Sequence, residues 1–153
     1  MNLKSILYKD SDYMQYRRII KLTNELDIDS LLAEAASLHV QKFSRLLLNK
    51  SGVSGRSLSK ATVENTAYRS RLVEILITVN IEYARIKEAQ TIMRDKILTY
   101  YGDYIPVRTK YERLQWVCIG PLKVGVKKLG ALELSKQTIE LYIADIDQQG
   151  WDL

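Results

Sequence analysis

Apolar residues recur at intervals of three and four along most of the chain, the spacing that places them on one face of an α-helix. The pattern predicts a first helix over roughly residues 12–26 and a second that begins after Asp29 or Ser30 and ends near Asn49. It then predicts one long helix from about residue 59 to residue 101. Helix is therefore the expected element for most of the sequence.

The long predicted helix carries a row of apolar residues at every seventh position: Leu72, Val79, Ile86, Met93 and Tyr100. Further large apolar residues stand four positions after members of this row: Leu76, Tyr83 and Ile97. A sustained seven-residue repeat predicts a seam that packs on another helix in coiled-coil fashion. Roughly forty residues at about 1.5 Å per residue would form a rod about 60 Å long.

Glycine and proline divide the sequence that follows. Gly102 ends the long helix, Pro106 permits a new helix to start, and residues 107–118 are predicted to be helical. Gly120 and Pro121 then predict a break or a kink.

The remaining sequence predicts an amphipathic C-terminal helix. Residues 122–129 fit either a poor helix or a strand, because Val124 and Val126 alternate with lysine and glycine, and we expect a helix. Residues 131–149 have helical periodicity, with Gly150 as the C-terminal stop. Five apolar residues of this helix are the predicted oligomerisation residues: Leu132, Ile139, Tyr142, Ile143 and Ile146.

These elements predict an all-α fold, an elongated helical hairpin or bundle with one long coiled-coil-like helix and an amphipathic C-terminal helix. We expect one helical domain over residues 1–153, with residues 1–25 as an N-terminal extension. Residues 50–59, rich in glycine and serine, are predicted to be a flexible loop. Residues 131–150 are predicted to be the oligomerisation helix.

Composition excludes several functional classes. The chain has 153 residues, 46% hydrophobic and 27% charged, which is typical of a globular domain. A single cysteine, Cys118, and a single histidine, His39, cannot form a disulfide or close a zinc site. We expect His39 to pack structurally and Cys118 to be a small buried hydrophobe. The sequence has no phosphate-binding P-loop, no signal peptide and no membrane span, so we expect no enzyme, no cofactor, no metal and no membrane partner.

Charge is distributed in blocks along the chain. The formal net charge is +5, but residues 41–72 carry +6, residues 104–130 carry +5 and residues 131–153 carry −4. Such asymmetry indicates a polyanionic partner for the basic blocks.

Positive charge and aromatic residues are interleaved around the predicted end of the long helix. Seven residues there are the candidate contacts to single-stranded DNA: Arg94, Lys96, Tyr100, Tyr101, Arg108, Lys110 and Tyr111. Cations neutralise phosphates, while aromatic faces stack on bases without regard to sequence. The alternative is that the tyrosines belong to a core or an interface and that the cations form a solvated face.

Three stretches of the sequence also carry a family likeness. They are residues 28–43, with Leu38-His39 near their end; residues 85–102, which close on Tyr100-Tyr101-Gly102; and the C-terminal helix, which closes on Gly150-Trp151. In their order and spacing they resemble the UvsY family of bacteriophage recombination mediators. Gln149 departs from the arginine that the family tends to have at the corresponding position.

The resemblance implies a protein that binds single-stranded DNA and assembles into a ring-like homo-oligomer. It also implies that the protein helps a RecA-like recombinase to displace single-strand-binding protein, in the cytoplasm of an infected host cell. The alternative function is a helical structural or assembly protein of a phage particle that binds no DNA.

Overall fold

The computed structural model describes the backbone of residues 2–49 and 55–151 and the side chains of residues 2–40 and 63–148. The described chain forms six α-helices and one short 3-10 helix at Gly102–Tyr104. The α-helices are α1 (Leu3–Leu7), α2 (Ser11–Glu25), α3 (Ile28–Asn49), α4 (Gly55–Tyr100), α5 (Lys110–Ile119) and α6 (Lys123–Trp151). The described residues contain no strand, so the all-α prediction is confirmed. Within those residues no helix combines the length and the apolarity that a membrane crossing requires.

The chain divides into two compact units. Unit 1 comprises Met1–Leu26 and Ile81–Glu133, and unit 2 comprises Asp27–Asn80 and Leu134–Leu153. Unit 1 therefore contains α1, α2, the last part of α4, α5 and the first part of α6. Unit 2 contains α3, the first part of α4 and the last part of α6.

In unit 1 the N-terminal helices belong to the core. Tyr13, Tyr16 and Ile20 are buried, as the periodicity of α2 predicts. Helix α1 was not predicted, because five residues are too few to display a helical period. Its Leu3 and Leu7 are nevertheless only 2% and 0% exposed.

In unit 2 polar contacts join three helices around an apolar centre. Arg71 of α4 makes a two-pronged ion pair with Glu34 of α3, at 2.6 Å from Nε and 2.8 Å from Nη2. The ring of His39 stacks on Tyr142 of α6 at 4.4 Å between centroids, and its Nε2 lies 3.0 Å from Asp145 Oδ2. His39 therefore has the packing environment that the sequence predicts.

The seven-residue row of α4 is largely confirmed. Leu72, Val79, Ile86 and Met93 are at most 1% exposed. Tyr100 is 75% exposed, so its inclusion in the buried row was wrong, because α4 ends at that residue.

The second buried column of α4 differs from the prediction. Of the predicted residues four positions after the row, Ile97 is buried, whereas Leu76 and Tyr83 are only half-buried. Three further buried residues stand three positions after members of the row, at Ile75, Glu82 and Ala89. In unit 1 the reason is that α2 packs on this side, where Thr23 Oγ1 donates a 3.0 Å hydrogen bond to Glu82.

Two helix starts differ from the predictions because of N-caps that precede them. Asp27, not Asp29 or Ser30, caps α3, and its Oδ1 accepts a 3.0 Å hydrogen bond from the backbone N–H of Ser30. Helix α5 starts at Lys110 and not at residue 107, because the Thr109 side chain accepts from the backbone N–H three residues later.

The C-terminal segments form one helix rather than two. Residues 122–129 are helical from Lys123 onward, as expected, and the helix continues through Gly130. The predicted stop at Gly150 was wrong, because α6 extends to Trp151. Of the predicted loop at residues 50–59, residues 50–54 lie outside the described residues, and α4 begins at Gly55, so the remainder is helical.

Candidate nucleic-acid interface

Three tyrosines cluster where α4 gives way to the 3-10 helix of unit 1. The rings of Tyr100 and Tyr101 meet edge to face at 5.0 Å between centroids, and Tyr104 lies 6.4 Å from Tyr101. Tyr100 is 75% exposed and Tyr104 is 50% exposed. The cluster therefore presents two accessible aromatic rings on either side of a half-buried one.

Asp10 fixes the middle ring of this cluster. The hydroxyl of Tyr101 donates a 2.5 Å hydrogen bond to Asp10 Oδ2. The same carboxylate is the N-cap of α2, accepting from the backbone N–H groups of Asp12 and Tyr13 at 2.8 and 3.1 Å. Asp10 therefore ties the start of α2 to the end of α4.

The charge of Lys96 is balanced by two carboxylates, those of Asp10 and Asp12. Its Nζ lies 2.9 Å from Asp10 Oδ2 and 2.6 Å from Asp12 Oδ2. Hydrogen bonds to Asp12 and Asp10 raise the pKa of Lys96 above its ordinary value. Its charge is thus balanced within the chain, and a phosphate would have to compete with two carboxylates for it.

The electrostatics of Asp10 follow from these contacts. Burial on its own raises the pKa of this carboxyl, but hydrogen bonds from Tyr101, Lys96 and two backbone N–H groups outweigh burial and lower the pKa to about 2. The hydrogen bond to Asp10 in turn raises the pKa of Tyr101. Lys96 and Tyr101, both predicted DNA contacts, are therefore internal partners of Asp10 in this structure.

The remaining predicted cations differ in accessibility. Arg94 is half-buried, with its Nε 3.5 Å from Asp95 Oδ1. Arg108 and Lys110 are exposed, and no carboxylate pairs with either among the side chains that the structure describes. Arg108 and Lys110 are consequently the two predicted cations best placed to meet a phosphate.

Tyr111 completes the exposed aromatic set at the start of α5. It is 69% exposed, and its hydroxyl accepts a 2.9 Å hydrogen bond from Gln115 Nε2, one turn along the helix. The connection before α5 is braced by Arg113, whose Nε donates to the backbone carbonyl of Val107 at 2.8 Å. This brace holds the segment that carries Arg108 against α5.

Three of the five predicted oligomerisation residues are buried within the single chain. Leu132, Ile139 and Ile146 are at most 3% exposed within the single chain, while Tyr142 and Ile143 are half-buried. The three fully buried side chains contribute to the cores of their own units, because α6 packs its apolar row inward. They are thus not available to a second copy in this conformation.

Sequence reasoning missed two parts of the site. Tyr104 was not among the predicted contacts, although its aromatic type and its place next to Gly102-Asp103 were the available signal. The role of Asp10 and Asp12 was missed because an acidic helix start predicts a cap but not a partner more than eighty residues away.

The charge of the two units differs sharply. Unit 1 has fifteen Lys and Arg against nine Asp and Glu, for a net +6, whereas unit 2 has eight against nine, for a net −1. The exposed tyrosines described above all belong to the positive unit.

A scan of protein-family models and searches of curated proteins and of solved structures found no match to this chain.

Proposed function

We propose that this protein binds single-stranded DNA through unit 1 without regard to base sequence. The observation that carries the proposal is the combination of exposed Tyr100, Tyr104 and Tyr111 with the exposed cations Arg108 and Lys110 in one positively charged unit. Exposed aromatic rings stack on unpaired bases, at about 1–3 kcal/mol per base, and cations that contact phosphates release counterions from them. In a duplex the base faces are not accessible, so only the contacts between cations and phosphates contribute to binding.

In the cell, this activity serves recombination. The protein binds DNA coated with single-strand-binding protein and assists a RecA-like recombinase to load on it. This part of the proposal is supported by the resemblance to the UvsY family in residues 28–43 and 85–102. A ring-like homo-oligomer would present many copies of the unit 1 surface to one strand, which multiplies affinity without new contacts.

A double substitution at Arg108 and Lys110 tests the proposal. Arg108→Ala with Lys110→Ala removes two phosphate contacts, so the slope of log affinity against log salt for a labelled single-stranded oligonucleotide should fall in magnitude by about 1.4. Fluorescence anisotropy at several salt concentrations measures this slope.

The matched control removes the same formal charge at paired positions. Arg69 and Arg71 of unit 2 already pair with Asp147 and Glu34, so Arg69→Ala with Arg71→Ala should leave the salt slope unchanged. If the two double variants change the slope equally, net charge alone governs binding and the assignment of Arg108 and Lys110 is wrong.

A second candidate function is a helical assembly protein of a phage particle that binds no DNA. It is supported by Leu134 and Leu141, which stand one heptad apart on α6 and are 67% and 65% exposed. Light scattering alongside anisotropy separates the two candidates, since self-association without any affinity for the oligonucleotide favours the assembly protein.

A further inference from the structure

Helices α2 and α6 lie side by side within unit 1. The hydroxyl of Tyr13 donates a 3.3 Å hydrogen bond to the carbonyl of Pro121, and Lys128 Nζ donates to Asn24 Oδ1. Pro121 lies just before the start of α6, and Tyr13 and Asn24 are three turns apart on α2, so contacts with residues 121–128 extend over most of the length of α2.

Two cations of α2 lie between these two contact points. Arg17 follows Tyr13 by one turn, and Lys21 precedes Asn24 by one turn, so helix geometry places the two cations beside these contact points. Both are exposed, and neither pairs with a carboxylate among the described side chains. We call Arg17, Lys21, Lys127 and Lys128 the α2–α6 ridge.

The α6 side of the ridge is also positive. Lys127 is exposed, and the partner of its neighbour Lys128 is the uncharged amide of Asn24. By contrast, Arg69, Arg71, Arg85, Arg94 and Lys96 each lie within 4 Å of a carboxylate. The ridge therefore retains positive charge that the chain neutralises at other sites.

An exposed aromatic ring adjoins the ridge. The guanidinium of Arg17 lies 4.5 Å from the ring centroid of Tyr8, which is 45% exposed. Tyr8 in turn meets Tyr13 edge to face at 6.2 Å. Cations alone are sufficient to bind an acidic protein surface. A single strand of nucleic acid offers phosphates to the cations and bases to the ring of Tyr8.

We infer that the α2–α6 ridge is a second contact surface for the sugar-phosphate backbone of single-stranded DNA, with Tyr8 as a base-stacking residue beside it. The inference rests on the proposed function and extends it to residues outside the α4–α5 connection. On this account the strand makes phosphate contacts at two places on unit 1, and each contributes separately to the salt dependence.

The experiment uses the full chain and a labelled oligothymidylate long enough to reach beyond one surface. Arg17→Ala with Lys21→Ala should lower the magnitude of the salt slope by about 1.4 and weaken binding several-fold at low salt. Lys4→Ala with Lys87→Ala removes two exposed cations of unit 1 outside the ridge and should leave the slope unchanged. Circular dichroism confirms that each variant keeps its helix content.

Three outcomes are decisive. A slope reduced only by the ridge variant supports the inference. A wild-type protein that binds the oligonucleotide while the ridge variant keeps the wild-type slope overturns the inference and leaves the proposed function standing. A wild-type protein that does not bind the oligonucleotide rejects the proposed function itself, and the inference with it.

Discussion

Asp10 combines three structural roles in unit 1. Its carboxylate caps α2, accepts from Tyr101 and pairs with Lys96, although the residue is only 9% exposed. A buried carboxylate is tolerated because every one of these partners stabilises its charged form. Lys96 and Tyr101 therefore contact Asp10 and are less available to DNA than the exposed residues of unit 1.

Replacing Asp10 by asparagine isolates the contribution of the charge. Asparagine caps a helix about as well as aspartate, so the loss falls on the contacts with Lys96 and Tyr101. Because the pKa of Asp10 is about 2 against an ordinary 3.8, Asp10→Asn should lower the free energy of unfolding at pH 7 by about 2 kcal/mol, measured by urea titration.

The control and the acid profile test the same point. Asp12 is exposed and contacts the Lys96 end of the cluster, so Asp12→Asn should cost less than about 1 kcal/mol. The folded pKa of Asp10 is lowered, so its contribution is complete above about pH 4 and is lost as the pH falls toward 2. An Asp10→Asn protein with the wild-type acid profile would show that the charge contributes nothing.

At the scale of elements, α2, α4 and α6 meet at Gly125. The hydroxyl of Tyr16 donates a 2.6 Å hydrogen bond to Gln90 Oε1, and Gln90 Nε2 donates to the carbonyl of Leu122 at 3.2 Å. A Cβ at Gly125 would overlap both Tyr16 Oη and Gln90 Oε1. Burial of the Tyr16 hydroxyl raises its pKa to about 12.

Alanine substitutions at two glycines of α6 should have opposite effects. Gly125→Ala forces the Tyr16–Gln90 hydrogen bond apart in a packed site and should destabilise the protein by about 2 kcal/mol. A Cβ added at Gly130 would meet no described atom within 4 Å, so Gly130→Ala should stabilise α6 by about 0.5–1 kcal/mol. Thermal unfolding followed by circular dichroism compares the two, and a stabilised Gly125→Ala protein would contradict this packing.

The elements that sequence predicted best are those with long periodic patterns. The row Leu72, Val79, Ile86 and Met93 was recognisable because it extends over three heptads and is apolar throughout. Glu82 and the short helix α1 were not recognisable as core, since a charged residue and a five-residue segment carry no apolar period. The burial of Glu82 depends on Thr23, a partner that is distant in sequence.

The candidate site was predictable in composition but not in pairing. The exposure of Tyr111, Arg108 and Lys110 could be expected, because they belong to a basic, aromatic segment at the start of a helix. Lys96 is neutralised by Asp10 and Asp12, which lie more than eighty residues away from it in the sequence. Tertiary packing decides which residues form long-range ion pairs. Cations that look equivalent in the sequence therefore differ in whether a carboxylate pairs with them.

At the scale of the whole molecule, the mild net charge of +5 conceals a division between the units. Unit 1 carries +6 and the exposed tyrosines, and unit 2 carries −1 and ion pairs such as Arg71–Glu34 and Arg69–Asp147. A polyanion is therefore attracted to unit 1, and the attraction weakens as salt screens it.

The central claim is that exposed cations of unit 1 hold the phosphates of single-stranded DNA, and the salt dependence of wild-type binding tests it most directly. With Arg108, Lys110 and the four cations of the α2–α6 ridge each contacting a phosphate, log affinity for oligothymidylate should fall linearly with log salt, with a slope of about −4. Duplex DNA of equal length should bind more weakly at every salt concentration, because its bases are not open to tyrosine. An affinity that does not change with salt, or no binding at low salt, would contradict the claim.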